Sequence, residues 1–153
     1  MNADSKTPAR SLRLLAEDAE DLKVISSALQ DAVCVVGDVA YEPHARRLTV
    51  AVNRFRWEQS GPKRGGERVR AALQIGGVLK VQAQRLRPGA KQGVLSLLSV
   101  AFEPGEAPAG AVILTFAGGG AMRAQVECLD AILADLSAPW PTPRRPSHDG
   151  AEG

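Results

Sequence analysis

Aromatic side chains are scarce in this chain, with two Trp, one Tyr and three Phe in 153 residues. So few rings are needed for a core before they can form a platform for stacked bases, and RNA recognition by aromatic stacking is disfavoured. Cysteine is equally rare. Cys34 and Cys128 stand alone in apolar contexts, which excludes a disulfide framework and a zinc site and reads as two buried thiols. The two histidines are His44, in a turn, and His148, in a polar tail, so hydrolytic chemistry built on a histidine base has no obvious foothold. Long hydrophobic runs are absent as well. The longest, VLSLLSVAF, ends after nine residues at Glu103, well short of the ~20 residues of a membrane helix. The N-terminal LRLLA is flanked by charge and is too short for a signal peptide, so the sequence reads as a cytoplasmic protein without membrane insertion.

What remains is an ordinary globular composition, 44% hydrophobic and 24% charged. The length suits one domain with its own core. Residues 1–10 and 142–153 are polar, proline-bearing and aperiodic, and are expected to be disordered around a single domain at 11–141.

Hydrophobic periodicity orders that domain. A short extended piece at 12–15 precedes a helix over 16–33, where Leu22, Ile25, Leu29, Ala32 and Val33 recur at helical spacing; Asp18 serves as its cap, with Glu20 and Asp21 in its first turn. The period then changes to two. Strands are expected at 34–41, 47–57, 68–75, 78–86, 94–102, 111–116 and 121–127. The second should pair with both the first and the third. Gly76 and Gly77 read as a two-residue hairpin turn joining 68–75 to 78–86, and Gly118 to Gly120 as another before 121–127. The nearly all-apolar 94–102 reads as a central strand covered on both faces. A last helix is expected at 128–136, from Leu129, Ile132, Leu133 and Leu136, with Pro139 ending it and Trp140 packed at its end.

The fold class is therefore α+β: a mainly antiparallel β-sheet roll or split barrel of about seven strands, with an N-terminal helix and a C-terminal capping helix. That order resembles the pleckstrin-homology-like roll, a likeness of architecture that carries no function. The ordered set LRLLAEDAEDLKVISSALQDAV, GDVAY, NRFRWE, RVRAAL, VLKVQ, VLSLLSVAFEP and LTFAGGGAMRAQVECLDAILADLSAPWP is similar to a family of uncharacterised proteobacterial proteins known only as a domain of unknown function. The resemblance spans 12–141 and implies no activity, ligand or catalytic residue.

Charge is the one uneven feature. Residues 44–91 hold twelve Lys or Arg against Glu58 and Glu67, a formal +10, whereas 1–43 and 92–153 are each −4. Pairing 47–57 with 68–75 is expected to bring Arg54 beside Arg70 and Arg56 beside Arg68 on an outward face. Like charges in that arrangement call for an acidic counterpart, internal or external. Glu17, Asp18, Glu20 and Asp21 are explained by helix capping rather than metal binding, and Gly118 to Gly120 lack the spacing of a phosphate loop. No cofactor and no catalytic set is expected. The reading is a non-enzymatic binding or adaptor domain that offers Arg54, Arg56, Arg68, Arg70 and Lys80 to an acidic protein partner. The alternatives are RNA or other nucleic acid on the same residues, and a small-molecule enzyme with an unrecognised pocket. Oligomeric state is left open.

Overall fold

A computed structural model describes residues 11–59, 66–86 and 93–143. Most of the two terminal segments expected to be disordered lies outside these residues. The order is β1 (Arg13–Ala16), α1 (Ala19–Ala28), β2 (Val33–Val35), β3 (Val39–Glu42), β4 (Arg47–Phe55), β5 (Gly66–Ile75), β6 (Val78–Gln84), β7 (Val94–Pro104), β8 (Gly110–Phe116), β9 (Ala121–Val126), β10 (Ala131–Asp135) and β11 (Trp140–Thr142). Short 3₁₀ turns lie at Val36–Asp38 and Trp57–Gln59.

All the strands belong to one antiparallel sheet, β1-β10-β5-β4-β2-β7-β8-β9-β6, with β3 paired to β4 and β11 to β5. The sheet bends without closing. β7 makes the bend: its first residues pair with β2, its remainder pairs with β8, and the register shifts between Leu97 and Ser99. The inner faces of the two halves share one core, in which Leu48, Val50, Val52 and Leu73 from one side join Val112, Leu114 and Ala124 from the other. Helix α1 contributes Leu22 and Ile25 to that core, packing against β1 and β7. It starts as expected at Asp18, whose side chain accepts a hydrogen bond from the Asp21 N–H.

The fold is thus a mostly antiparallel sheet with one helix, as the pattern implied in outline; the helix is shorter than the expected 16–33, the expected strand 34–41 is split into β2 and β3, and three further details differ. First, the expected C-terminal helix at 128–136 is strand β10. Leu129, Ile132, Leu133 and Leu136 fit a helical period, but so short an apolar run also fits period two, and β10 is held on both sides, by β1 and β5. The described sheet has eleven strands rather than seven, and the closing helix of a pleckstrin-homology-like roll is missing from the described residues. Trp140 accordingly belongs to β11, opposite Arg68.

Second, Gly76 and Gly77 turn a corner and do not close a hairpin. β5 pairs with β4 and β10, β6 pairs with β9, and the glycines are tied to the β9–β10 connection through Gly76 N–H to Asp130 O (2.9 Å) and Glu127 N–H to Gly77 O (3.0 Å). Third, β7 is central but covered on one face only, for Val94 and Leu98 are exposed. The hairpins β3–β4 and β8–β9 stand where expected, as does the β4–β5 pair.

Candidate functional site

The five positions proposed from the sequence as a binding set fall in three separate places. β4 alternates Leu48, Val50, Val52 and Arg54 toward the core, and Arg54 sits opposite Val69 rather than beside Arg70. The register differs by one residue from the expected pairing, and one residue moves a side chain to the other face. Arg54 is fully buried and Arg56 is 3% exposed, so neither stands on an outward surface.

Each buried guanidinium has its own carboxylates. Arg54 Nε and Nη2 donate to Oδ1 and Oδ2 of Asp135 at 2.9 and 3.0 Å, and Nη1 and Nη2 donate to Oε1 and Oε2 of Glu58 at 3.1 and 2.7 Å. A further bond runs from Nη1 to the Phe55 carbonyl at 3.3 Å. Arg56 Nη1 donates to Glu67 Oε1, and its Nε lies 4.0 Å from Glu58 Oε2. Asp135 also accepts the Leu12 N–H at 2.8 Å and donates its own N–H to the Leu12 carbonyl. The cluster therefore fastens β4 and the Trp57–Gln59 turn to β10 and the entry of β1.

Burial alone would lower the Arg54 pKa, but hydrogen bonds and charge from Glu58 and Asp135 outweigh it and raise the guanidinium above its ordinary value. Burial would raise Glu58, and the Arg54 hydrogen bonds with the Arg54 and Arg56 charges hold it below the usual carboxylate range. With two cations against three carboxylates, these arginines have no charge left over for an anionic partner.

Arg68 and Arg70 project from the opposite face of β5. Arg68 donates to the Asn53 carbonyl at 3.1 Å and lies 5.9 Å from the centre of the Phe55 ring, which meets Trp57 edge-on. Burial lowers its pKa, and Asp31 opposes that shift. Arg70 donates to Asn53 Oδ1 at 3.2 Å and pairs with Asp38 at 3.0 Å. Trp57 donates its indole N–H to the Gln30 carbonyl at 3.0 Å. Cys34 lies buried nearby; burial first, then Asp38, push its thiol up to about 11 with Arg70 opposing, so it is not a nucleophile at neutral pH. Cys128, expected buried, is exposed.

Lys80 is far from both groups, on β6 at the end of the sheet path. β6 pairs with β9 alone and is exposed over most of its length. Lys80 and Arg85, just after it, make no ion pair among the described residues, whereas Glu103 is occupied by Arg123 and Glu127 by Arg46. Beside the strand, Leu79 is 52% exposed and ends an open groove of about 230 Å³ that runs past Arg123 and Gln125 to Glu103 and Gly110.

No group of His, Cys, Asp and Glu among the described residues is placed to hold a metal ion, and no helix there is long and apolar enough to cross a membrane. Sequence reasoning missed Asp135 and Glu58 as partners of Arg54. One signal was available, since Arg54 shares the parity of Leu48, Val50 and Val52 and a cation in a core row requires a buried carboxylate.

No curated protein and no solved structure matches the chain. A family model does, over residues 12–148, in line with the resemblance carried by the ordered segments. The chain belongs to DUF2948, a protein family of unknown function.

Proposed function

We propose that this domain is a non-enzymatic binding module that takes an extended acidic polypeptide segment along the free edge of β6. One observation supports the reading above the others: a seven-residue edge strand without a carboxylate carries Lys80 and leads into Arg85, two cations without an ion pair among the described residues, beside the exposed Leu79. An edge strand presents unpaired N–H and C=O groups to a second chain, and main-chain pairing of this kind supplies affinity while alternate side chains supply selectivity. The two cations favour acidic residues in the incoming segment, and the groove beside Leu79 accepts one of its side chains. The acidic partner expected from the charge distribution is retained. The surface differs, because Arg54 and Arg56 are engaged inside and Arg70 is held by Asp38.

Selection from a displayed library of twelve-residue peptides tests it. Enrichment of acidic, β-prone sequences that lose affinity at least tenfold on Lys80→Glu/Arg85→Glu supports the reading, since reversal of two close charges removes several kcal/mol at low salt, about 1.4 kcal/mol being a factor of ten. No enrichment, or enrichment indifferent to that variant, overturns it. So does preferential capture of RNA with a steep salt dependence, the signature of phosphate contacts.

A further inference from the structure

Away from the β6 edge, the described residues leave most of the outer face of β3, β4, β5, β10 and β1 uncovered. Strand register fixes its rows. At one end Trp140 and Arg68 share a row with Phe55, whose ring is buried under Arg68 and Trp57, followed by Leu136, Arg70 and Asn53. The middle row is Ala51, Ala72, Ala134 and, at the margin, Arg13. Next come Ala40, Thr49, Gln74, Ile132 and Leu15, and the far end holds Glu42, Arg47, Gly76 and Asp130.

Two features mark this face. Its centre is flat, with small side chains and no charge from β3 to β10, and three of the molecule's large exposed apolar side chains border it: Leu15 at 65%, Leu136 at 62% and Trp140 at 38% exposure. Its ends have opposite sign, through Arg68 and Asp130 alone, because Arg70 is paired with Asp38 at 3.0 Å. Arg68 and Arg70 occupy one, while at the other Arg47 is neutralised by Glu42 at 2.9 Å and Asp130 makes no ion pair among the described residues. The Asp130 carboxylate lies over Gly76, since a Cβ built there would meet its Oδ2 at 2.9 Å.

We infer that this face is the contact between two copies of the chain, related by a two-fold axis running across the strands along the Ala51–Ala72–Ala134 row. That axis lays each β5 on the partner copy's β5 in reverse, so that the alanine rows meet each other. Arg68 of each copy then faces Asp130 of the other. A two-fold axis parallel to the strands would set Arg68 against Arg68 and is excluded by like charge. Size agrees with the assignment. Five strands about 4.8 Å apart and five rows about 6.7 Å apart make a grid of roughly 800 Å², of which the positions named fill about three-quarters, or roughly 600 Å² per copy. Two copies together bury about 1,200 Å², at the lower end of the roughly 1,200–2,000 Å² of a specific interface.

Sedimentation equilibrium on the full chain tests it, with circular dichroism confirming that every variant is folded. The wild type is expected to be a dimer of the 16.1 kDa chain at about 100 μM, with Arg68→Glu and Asp130→Arg each weakening association at least tenfold. Arg68→Glu/Asp130→Arg in one chain restores both cross-pairs and returns the dimer. Ala72→Arg, set on the axis, gives a monomer whether or not Arg68→Glu folds. A monomeric wild type, a double variant no more dimeric than the singles, or a dimer indifferent to Ala72→Arg overturns the assignment. None of these results bears on peptide binding at β6, which Lys80→Glu/Arg85→Glu reads separately.

Discussion

Arg54→Met isolates what the buried cluster contributes. The substitution keeps an unbranched apolar stem of similar reach and removes the guanidinium, leaving Asp135, whose side chain is 2% exposed, with the Leu12 N–H as its one hydrogen-bond partner among the described residues. Glu58, 35% exposed, can turn to water and suffers less. An uncompensated buried carboxylate costs about 3–5 kcal/mol once its partner is removed. That is a large part of the roughly 5–15 kcal/mol that holds a domain folded. At roughly 2–4 °C per kcal/mol for a domain of this size, the melting temperature falls by about 6–20 °C. Arg54→Met/Asp135→Asn removes the charge on both sides while leaving an amide oxygen for the Leu12 N–H, so it should recover to within about 1–2 kcal/mol of the wild type. Urea unfolding at unchanged m-value reads both variants. A loss below about 1 kcal/mol for the single variant, as expected of an exposed arginine, refutes the reasoning. So does a double variant as damaged as the single.

Four further outcomes follow from the contacts described above. Because Arg54 and Arg56 hold the Glu58 pKa below its unfolded value of about 4.3, its stabilisation is present above that value and is lost as pH falls through the lower folded pKa; Glu58→Gln should flatten the acid limb of a pH–stability curve. For Cys34 the sign is opposite. Its pKa rises from 9.0 to about 11 on folding, so the contribution is complete below the unfolded value and lost as pH climbs toward 11, and Cys34→Ala should remove that alkaline loss. A thiol-reactive disulfide should accordingly modify Cys128 in the native protein and Cys34 only in urea. Gly110→Ala should destabilise strongly by thermal melt, because the new Cβ would lie 2.5 Å from the Glu103 carbonyl oxygen across the β7–β8 pair, and that oxygen belongs to the backbone.

Local chemistry made α1 legible. Asp18, the acidic first turn and the spacing of Leu22, Ile25 and Leu29 all act within a few residues of one another, and no distant strand competes for them. The β8–β9 turn was legible for the same reason, with Gly118 and Gly119 supplying φ of 90° and 95°. Long-range pairing decided the rest. Residues 131–135 become a strand because β1 and β5 offer them two hydrogen-bonding edges, and nothing within the segment announces that. The Gly76–Gly77 corner depends likewise on β10 having taken the free edge of β5. At the candidate site, the excess of positive charge was visible but its neutralisation was not, because Asp135 lies 81 residues from Arg54. The outward placement of Arg54 failed on register: a shift of one residue in the β4–β5 pairing moved it from the wet face to the core.

Hydrogen–deuterium exchange of the full chain, with and without a selected acidic peptide, tests the binding reading most directly. Beyond Val78, whose N–H already donates to the Arg46 carbonyl, β6 amides without a second strand should exchange rapidly in the free protein and become protected on binding, with residues 79–84 showing the largest change and β1, the other end of the sheet path, showing none. Protection centred on any other element, with the β6 amides unchanged, would contradict it.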